Sequence, residues 1–157
     1  MKMDETAAIR DLIERERVAN VINELFVATD ARNWVRVRAC LAPIVIFDMT
    51  SLVGGAPAQL TPDEIAGAWE TGLEPIESVH HQTGNLAILC DGDEATASCY
   101  GIAYHYRRTQ SGNDTRVFVG SYDFHLERRD DAWRIDVFRF NLKFIQGNRH
   151  LEQEPNA

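Results

Sequence analysis

The sequence has few cysteines, and their spacing fits neither a metal site nor a disulfide framework. Cys40, Cys90 and Cys99 form no CxxC motif and have no Cys/His spacing of the zinc-binding kind. An odd number also argues against a set of paired disulfides. We therefore predict a reduced, cytoplasmic protein without a disulfide-stapled fold.

Clustered positive charge and long apolar runs are also missing. The chain of 157 residues has a formal net charge of −8, and its basic residues are scattered. Because phosphate groups are bound by clustered Lys and Arg, we expect no nucleic-acid partner and no anionic membrane partner. No apolar run is long enough to span a bilayer, and the first five residues lead into a charged helix rather than a signal sequence. The sequence therefore predicts a protein that is neither membrane-bound nor exported.

The apolar content is sufficient for one globular domain with a substantial core. Hydrophobic residues make up 45% of the chain. A chain of this length can bury roughly 70% of the surface that it exposes when unfolded. We predict a single domain over residues 1–157, large enough to enclose a pocket.

The first helix is predicted over residues 6–29, and its apolar stripe changes phase partway along. The apolar residues of its first turns would continue through polar positions, which predicts a bend or two consecutive helices near residues 14–17. Asp30 lies at the edge of the second stripe, where the helix C-terminus disfavours a carboxylate. It is either a solvated side chain or a functional one. The second stripe consists of Val18, Val21, Ile22, Leu25, Phe26 and Thr29.

Further elements of the first half are marked by caps and by glycine. Asn33 can cap a short helix that runs through Leu41 and is closed by Ala42-Pro43. Residues 44–49 read as a short strand. The pair Gly54-Gly55 marks a loop and lacks the sequence context of a phosphate loop. Thr61-Pro62-Asp63-Glu64 has the capping-box pattern that begins a third helix.

The second half reads as four long strands separated by polar turns. Helices followed by an antiparallel meander predict an α+β fold in which the sheet curls around the helices to bury their apolar stripes. The predicted strands are residues 78–90, 94–109, 115–128 and 132–145.

Side-chain alternation predicts which faces of these strands are buried. One face of the second strand carries His105 and otherwise only small residues, which either leaves room for a ligand or lets another layer pack closely. The even positions of the third strand, from Phe118 to Leu126, are predicted to be buried. The fourth strand is apolar on both faces, which indicates either a bulge or packing on another subunit. We predict a homo-oligomer, a dimer or trimer, formed through the outer sheet face.

The histidines raise the question of an acid–base site. His80 and His81 are neighbours on a strand, so at most one of them can point inward. An inward His81 has two titratable groups to meet, Asp30 and His105. His80 is predicted to point outward, and the remaining histidines, His125 and His150, are predicted to be surface residues. The three tryptophans are predicted to belong mainly to the core.

The order of several short motifs resembles the SnoaL-like branch of the nuclear-transport-factor-2-like (NTF2-like) superfamily, and within it scytalone dehydratase-like proteins. The likeness covers residues 7–145, followed by a short C-terminal tail. It implies a cystatin/NTF2-like cone-shaped α+β barrel, in which N-terminal helices pack on a strongly curved antiparallel sheet with an internal pocket. The motifs are Ala28-Thr29-Asp30-Ala31-Arg32-Asn33-Trp34, Ile46-Phe47-Asp48, Val79-His80-His81, Gly84-Asn85, Asp91-Gly92-Asp93, Gly120-x-Tyr122 and Asp130-Asp131-Ala132-Trp133.

The resemblance also implies a chemistry. Scytalone dehydratases remove water from a hydroxylated naphthalenone with two histidines and an aspartate, and they use no metal and no organic cofactor. These catalytic residues fall on Asp30, His81 and His105. The pocket tyrosines of that family fall on Thr29 and Met49, and its pocket serine and asparagine fall near residues 121–123, which here are Ser121, Tyr122 and Asp123.

From these positions we predict a role for each group. Imidazole titrates near neutral pH, so it can act as an acid or as a base. We predict that Asp30 orients His105 and that His81 is the second acid–base group. Tyr122 or Tyr104 is predicted to bind a ligand oxygen, and Trp69 completes the predicted substrate-binding set. A metal held by Asp30, His81 and His105 is imaginable, but the resemblance points away from it.

Three functions are compatible with the sequence. The first is a cofactor-independent lyase (dehydratase) or isomerase acting on a small hydrophobic, cyclic, aromatic or polyketide-like hydroxy-ketone. The second is a small-molecule-binding protein without turnover. The third is a structural small subunit similar to that of aromatic-ring-hydroxylating dioxygenases, which would require a larger catalytic partner chain.

Overall fold

The computed structural model describes residues 4–157, and in this part of the chain it contains four helices and six strands. No helix in this range combines the length and the apolarity needed to cross a membrane. The helices are α1 (Glu5–Asp30), α2 (Trp34–Ala39), α3 (Thr50–Val53) and α4 (Pro62–Leu73). The strands are β1 (Leu41–Asp48), β2 (Ala58–Leu60), β3 (Ser78–Asp91), β4 (Glu94–Tyr106), β5 (Thr115–Arg129) and β6 (Ala132–Gly147).

The six strands form one curved sheet on which α1 packs. Their spatial order is β2-β1-β6-β5-β4-β3. All neighbours pair antiparallel except β1 and β6, which are parallel. Helix α1 contacts both β3 and β6, although two strands separate them in the sheet, so the sheet curls around the helix. The predicted α+β fold is confirmed, and we call the face that packs on α1 the inner face.

Helix α1 is uninterrupted, so the alternative of two consecutive helices that meet near residues 14–17 is wrong. The stripe of Val18 and Ile22 continues in phase to Glu14. This carboxylate accepts a hydrogen bond of 2.8 Å from the indole Nε1 of Trp133 and lies 3.4 Å from a guanidinium nitrogen of Arg128. A polar residue therefore occupies the stripe because it bonds to the sheet. The apolar side chains of the first turns are about half exposed.

The region between α1 and α4 differs from the prediction in its boundaries. Asn33 caps α2 as predicted, but α2 ends at Ala39, and Leu41 already pairs with Ile135 of β6. Residues 41–43 thus begin strand β1 instead of closing a helix. The short elements α3 and β2 were not predicted. The capping box of α4 is present, with the Thr61 hydroxyl and the Glu64 carboxylate each bonded to the other's backbone N–H.

A bulge in β6 explains why both alternating sets of its residues are apolar. Leu126 of β5 pairs with Ile135, but the preceding His125 pairs with Val137, so Asp136 is an extra residue. The side chains that point inward change from odd to even positions at this bulge. Trp133, Ile135, Phe138 and Phe140 are accordingly all buried, at no more than 3% exposure. The apolar run therefore needs no partner subunit, and oligomerisation through the outer face stays a prediction.

The small residues of β4 allow Tyr122 to lie flat against the strand. Ala95, Ala97, Cys99 and Ala103 are buried as the alternation predicts. At Gly101, a Cβ atom would lie 2.1 Å from Cε2 of Tyr122. Gly101 therefore provides the space in which the Tyr122 ring sits.

Replacing Gly101 with alanine is expected to displace the Tyr122 ring and to lower the free energy of unfolding by about 1–3 kcal/mol. Denaturant unfolding followed by fluorescence measures this loss. The matched control is Gly67→Ala in α4, because a Cβ there meets no atom within 4 Å. The control is expected to be neutral or stabilising by up to about 1 kcal/mol, as alanine favours helix. Equal stability of the two variants would show that Tyr122 is not wedged against Gly101.

Candidate active site

A cavity of about 150 Å³ lies between the inner face of the sheet and helices α1, α3 and α4. Most of its wall is aromatic or aliphatic, and its polar groups come from Thr29, His81, His105 and Tyr122. The remaining lining residues are Phe26, Met49, Leu52, Trp69, Leu73, Ala103, Phe118, Phe138 and Phe140. This composition is typical of a pocket for a small apolar ligand.

Asp30, the last residue of α1, forms a close pair with His81 of β3. One carboxylate oxygen, Oδ2, accepts the backbone N–H of His81 at 2.8 Å, and Oδ1 lies 2.6 Å from Nδ1 of the ring. Because a carboxylate only accepts, Nδ1 must carry a hydrogen, and in the neutral ring this leaves a lone pair on Nε2. Nε2 has no hydrogen-bond partner within residues 4–157. The unfavourable position of Asp30 at a helix C-terminus is thus offset by two donors from β3.

The ring of His81 is fixed from its face as well. It stacks on Phe26 of α1, with ring centroids 5.2 Å apart and planes 29° apart. The side chains of His81 and Asp30 are 14% and 20% exposed. A ring that is bonded at Nδ1 and stacked on one face presents Nε2 in a defined direction, and His81 belongs to the cavity wall.

The prediction that Asp30 orients His105 is wrong. In the sheet, His81 pairs with Ala103, while His105 pairs with Val79, one position further along each face. This register places His81 at the end of α1. His105 is the diagonal neighbour of His81 on the same face, and residues in that relation are typically about 7–8 Å apart. Nδ1 of His105 instead lies 3.1 Å from a terminal nitrogen of Arg116.

The contact with Arg116 determines which nitrogen of His105 carries the proton. A guanidinium only donates, so Nδ1 accepts and the hydrogen of the neutral ring is on Nε2. Burial and, second, the positive charge of Arg116 together lower the pKa of His105 to about 4. His105 is therefore neutral at pH 7 and can donate a hydrogen bond from Nε2.

Two residues bring hydroxyl groups to the cavity, Thr29 and Tyr122. The ring of Tyr122 packs among Phe26, Phe138 and Phe140, with centroid separations of 4.8, 5.7 and 4.9 Å. Within the described chain its hydroxyl has no hydrogen-bond partner. Burial raises the pKa of Tyr122, which keeps the hydroxyl protonated and able to donate. The Thr29 hydroxyl, in contrast, already donates to the carbonyl oxygen of Leu25 at 2.7 Å.

The structure divides the predicted substrate-binding residues between the two faces of the sheet. Thr29, Met49, Trp69 and Tyr122 line the cavity. The assignment of Tyr104, Ser121 and Asp123 to the pocket is wrong, since all three are on the outer face. Strand alternation is the reason, because Tyr122 points inward and its two neighbours must therefore point outward. Asn141 is within hydrogen-bond distance of Ser121 and Asp123 there.

The other histidines lie away from the cavity. His80 and His150 are exposed, as predicted. His125 on the outer face is half-buried, and its Nδ1 lies 2.6 Å from a carboxylate oxygen of Asp136. This second His–Asp pair has the same contact as the first, but neither His125 nor Asp136 lines the cavity that holds His81. Among residues 4–157, no group of three or more His, Cys, Asp or Glu side chains is arranged to hold a metal ion.

Two residues at the site were not predicted from the sequence. Arg116 occupies an even position of β5. The alternation that buries Phe118 and Tyr122 also predicts an inward side chain at position 116, so strand alternation could have identified Arg116. Its partner Glu152 lies beyond β6, in a segment that the sequence indicates only as a tail. No spacing or motif points to Glu152.

The fold and the pocket define a cone-shaped α+β protein with a His–Asp pair in an apolar cavity. The SnoaL-like domain family matches residues 10–139, which is most of the chain. The chain belongs to the SnoaL-like domain family. The resemblance seen in the sequence is thereby confirmed.

Several solved structures are similar to this chain in fold. A protein from Kribbella flavida has a TM-score of 0.84 at 21% identity, covering 93% of this chain and 99% of its own. A scytalone dehydratase candidate from Novosphingobium aromaticivorans has a TM-score of 0.75 at 14% identity, with 93% of each chain covered.

A third similar structure is the hexachlorocyclohexane dehydrochlorinase LinA-type3 from Novosphingobium barchaimii. It has a TM-score of 0.73 at 13% identity, covering 88% of this chain and 92% of its own. At these identities the three likenesses show the fold alone. A comparison with curated protein sequences finds no significant match.

Proposed function

We propose that this protein is a cofactor-independent lyase that eliminates water from a small cyclic hydroxy-ketone by acid–base catalysis. The observation that carries the proposal is the Asp30–His81 pair at the apolar cavity, with Nδ1 of His81 bonded to the carboxylate and Nε2 free. A histidine held in this way is a base whose cationic form is stabilised by its carboxylate partner.

The first step uses the free nitrogen of His81. Nε2 takes a proton from the carbon next to the substrate carbonyl, and the electron pair of that C–H bond moves toward the carbonyl oxygen. The imidazolium that forms is paired with the Asp30 carboxylate, at the 2.6 Å contact already present. Because the partner carboxylate is in place before the reaction, little rearrangement is needed when the charge develops.

His105 has the complementary role. Its Nε2–H donates a hydrogen bond to the carbonyl oxygen, where negative charge builds up as the proton leaves carbon. The Tyr122 hydroxyl can supply a second hydrogen bond to the same oxygen. The enolate then expels the β-hydroxyl group, which takes the proton from His81 and leaves as water. When no leaving group is present, return of that proton to a different carbon gives isomerisation by the same groups.

The lining and the size of the cavity support the proposed class of substrate. Its wall is formed by the rings of Phe26, Phe118, Phe138, Phe140 and Trp69, which suit a flat or cyclic apolar compound. A volume of about 150 Å³ restricts the ligand to a small molecule. Two proteins of the same fold carry the names of a dehydratase and a dehydrochlorinase, and both names describe eliminations.

A binding protein without turnover is the second candidate. The observation that favours it is that the cavity has Thr29 and Met49 where the related dehydratases are expected to have tyrosines, and the Thr29 hydroxyl is already bonded within its own helix. Such a protein would hold the ring compound without chemical change.

A panel of cyclic β-hydroxy-ketones, with one or two fused rings, tests the proposal. Elimination yields a conjugated enone, whose ultraviolet absorbance reports turnover. We expect conversion by the native protein and none by His81→Asn, while both bind the compounds in calorimetry. Binding of the panel without any conversion by the native protein would support the second candidate and contradict the first.

A further inference from the structure

The residues after β6 pack back against the body of the protein beside the active site. Leu151 is completely buried, and a guanidinium nitrogen of Arg107 donates to the carbonyl oxygens of Leu151 and Glu154 at 2.6 and 2.8 Å. The backbone N–H of Gln110 donates to the carbonyl oxygen of Pro155 at 3.1 Å. Residues 148–157 therefore have a fixed position, although the sequence indicates only a tail.

This C-terminal segment places Glu152 against the guanidinium of Arg116. One terminal nitrogen, Nη1, donates to Oε2 of Glu152 at 2.7 Å, and the other, Nη2, bonds to Oε1. The same Nη2 lies 3.1 Å from Nδ1 of His105. The residues therefore form a chain from the C-terminal segment to the cavity, in the order Glu152, Arg116, His105.

The geometry of the guanidinium transmits the position of Glu152 to the histidine. Arg116 is 9% exposed, and a charge so deeply buried needs a counter-charge. A two-bond contact with a carboxylate fixes the plane of the guanidinium. Its centre also lies 4.9 Å from the ring centroid of Phe118, which supports it from one side. With the plane fixed, the second hydrogen on Nη2 points in one direction, which is toward Nδ1 of His105.

We propose that Glu152 is a positioning residue of the active site, which acts through Arg116 to hold the proton of His105 on Nε2. This role rests on the proposed function, in which Nε2–H of His105 donates to the substrate carbonyl. The group that keeps this donor in place, Glu152, comes from the last ten residues of the chain. Glu152 itself does not line the cavity. Its effect reaches the substrate only through the choice of ring nitrogen that carries the hydrogen.

A purely structural role for Glu152, as an anchor of the C-terminal segment, predicts something different. Glu154 is such an anchor, since its carboxylate accepts hydrogen bonds from the Ser111 hydroxyl and the Asn148 amide, at 2.5 and 2.8 Å, and does not contact Arg116. If Glu152 only anchored the segment, Glu152→Gln and Glu154→Gln would have the same consequences. Glu154→Gln is therefore the matched control.

The test is nitrogen NMR of the His105 ring in protein labelled with ¹⁵N-histidine, with the resonance identified by its loss in His105→Gln. Long-range proton–nitrogen correlations show which ring nitrogen is protonated. We expect the native protein and Glu154→Gln to show only the form with the proton on Nε2. In Glu152→Gln, where the amide group cannot accept two hydrogen bonds from Arg116, a second form with the proton on Nδ1 is expected.

Either of two results would overturn the proposal. The first is a native protein whose His105 carries its proton on Nδ1, which requires no variant to fold. The second is a Glu152→Gln spectrum identical to that of the native protein. Once a substrate is known, kcat of Glu152→Gln is expected to fall about 10-fold to 100-fold, with little change in KM. For Glu154→Gln we expect no change in either kcat or KM. If the spectra show the expected forms of His105 but no compound is converted, the proposed function fails and the positioning role of Glu152 stands.

Discussion

Replacing Asp30 with asparagine is expected to lower kcat by about 10³-fold or more while the protein stays folded. The reason is the tautomer of His81. Asp30 accepts two hydrogen bonds from His81, one from the backbone N–H and one from Nδ1. Asparagine has a single oxygen, so its NH₂ group must face one of these two sites. When it faces Nδ1, the ring proton moves to Nε2, and the nitrogen that should act as the base is blocked.

The matched control for this variant is Asp136→Asn. The Asp136 carboxylate also contacts Nδ1 of a histidine, His125, at the same distance of 2.6 Å, but on the outer face of the sheet. We expect both variants to lose no more than about 1–3 kcal/mol of stability. The control is expected to keep its full kcat. Steady-state kinetics and thermal unfolding of both variants separate the two effects. Equal activity of Asp30→Asn and the native protein would show that His81 does not act through Asp30.

Mild acid is expected to destabilise the protein through His105, by roughly 3 kcal/mol between about pH 6.5 and pH 4. The pKa of this histidine falls from 6.5 to about 4 on folding, mainly because it is buried and secondly because Arg116 is beside it. Below pH 6.5 the unfolded chain binds a proton at this residue and the folded protein does not. Stability from this group is therefore complete above pH 6.5 and is lost as the pH falls toward 4.

Chemical denaturation at a series of pH values measures this dependence. The charged groups that act on His105 are Arg116, His81, Glu152 and Asp30. Burial raises the pKa of Glu152, but the hydrogen bonds and charge of Arg116 outweigh burial and hold this pKa below its usual value, so part of the acid sensitivity below pH 4.5 comes from Glu152. The variant His105→Gln is expected to remove most of the slope between pH 6.5 and 4.5, and the exposed-site control His80→Gln to retain it. An unchanged slope in His105→Gln would mean that His105 titrates normally in the folded protein.

The parts of the fold that follow from local sequence were predictable. The capping box at Thr61, the cap at Asn33 and the alternation along β4 and β5 each depend on residues within a few positions of one another. The parallel pairing of β1 with β6 joins Leu41 to Ile135. These residues are far apart in the sequence, so no local pattern predicts their contact. The bulge at Asp136 was recognisable as one of two explanations for an apolar strand, but only the register with β5 decides between them.

The site was predictable in its residue types but not in its connections. Asp30, His81 and His105 were identified from a family resemblance and from strand alternation. Which histidine bonds to Asp30 depends on the register of β3 against β4 and on where α1 ends, and neither is fixed by periodicity. The contact of Glu152 with Arg116 joins residues 36 positions apart. No sequence motif predicts that the segment after β6 folds back to make this contact.

In the proposed mechanism His81, oriented by Asp30, removes a proton from a substrate carbon in the cavity. The most direct test is hydrogen–deuterium exchange at the carbon next to the carbonyl of small cyclic ketones, followed by proton NMR in deuterated water. No leaving group is needed, so the measurement isolates the step assigned to His81. We predict protein-catalysed exchange that is lost in His81→Asn and retained in Asp136→Asn. Exchange by His81→Asn at the native rate, or none by the native protein with ketones that it binds, would contradict the claim.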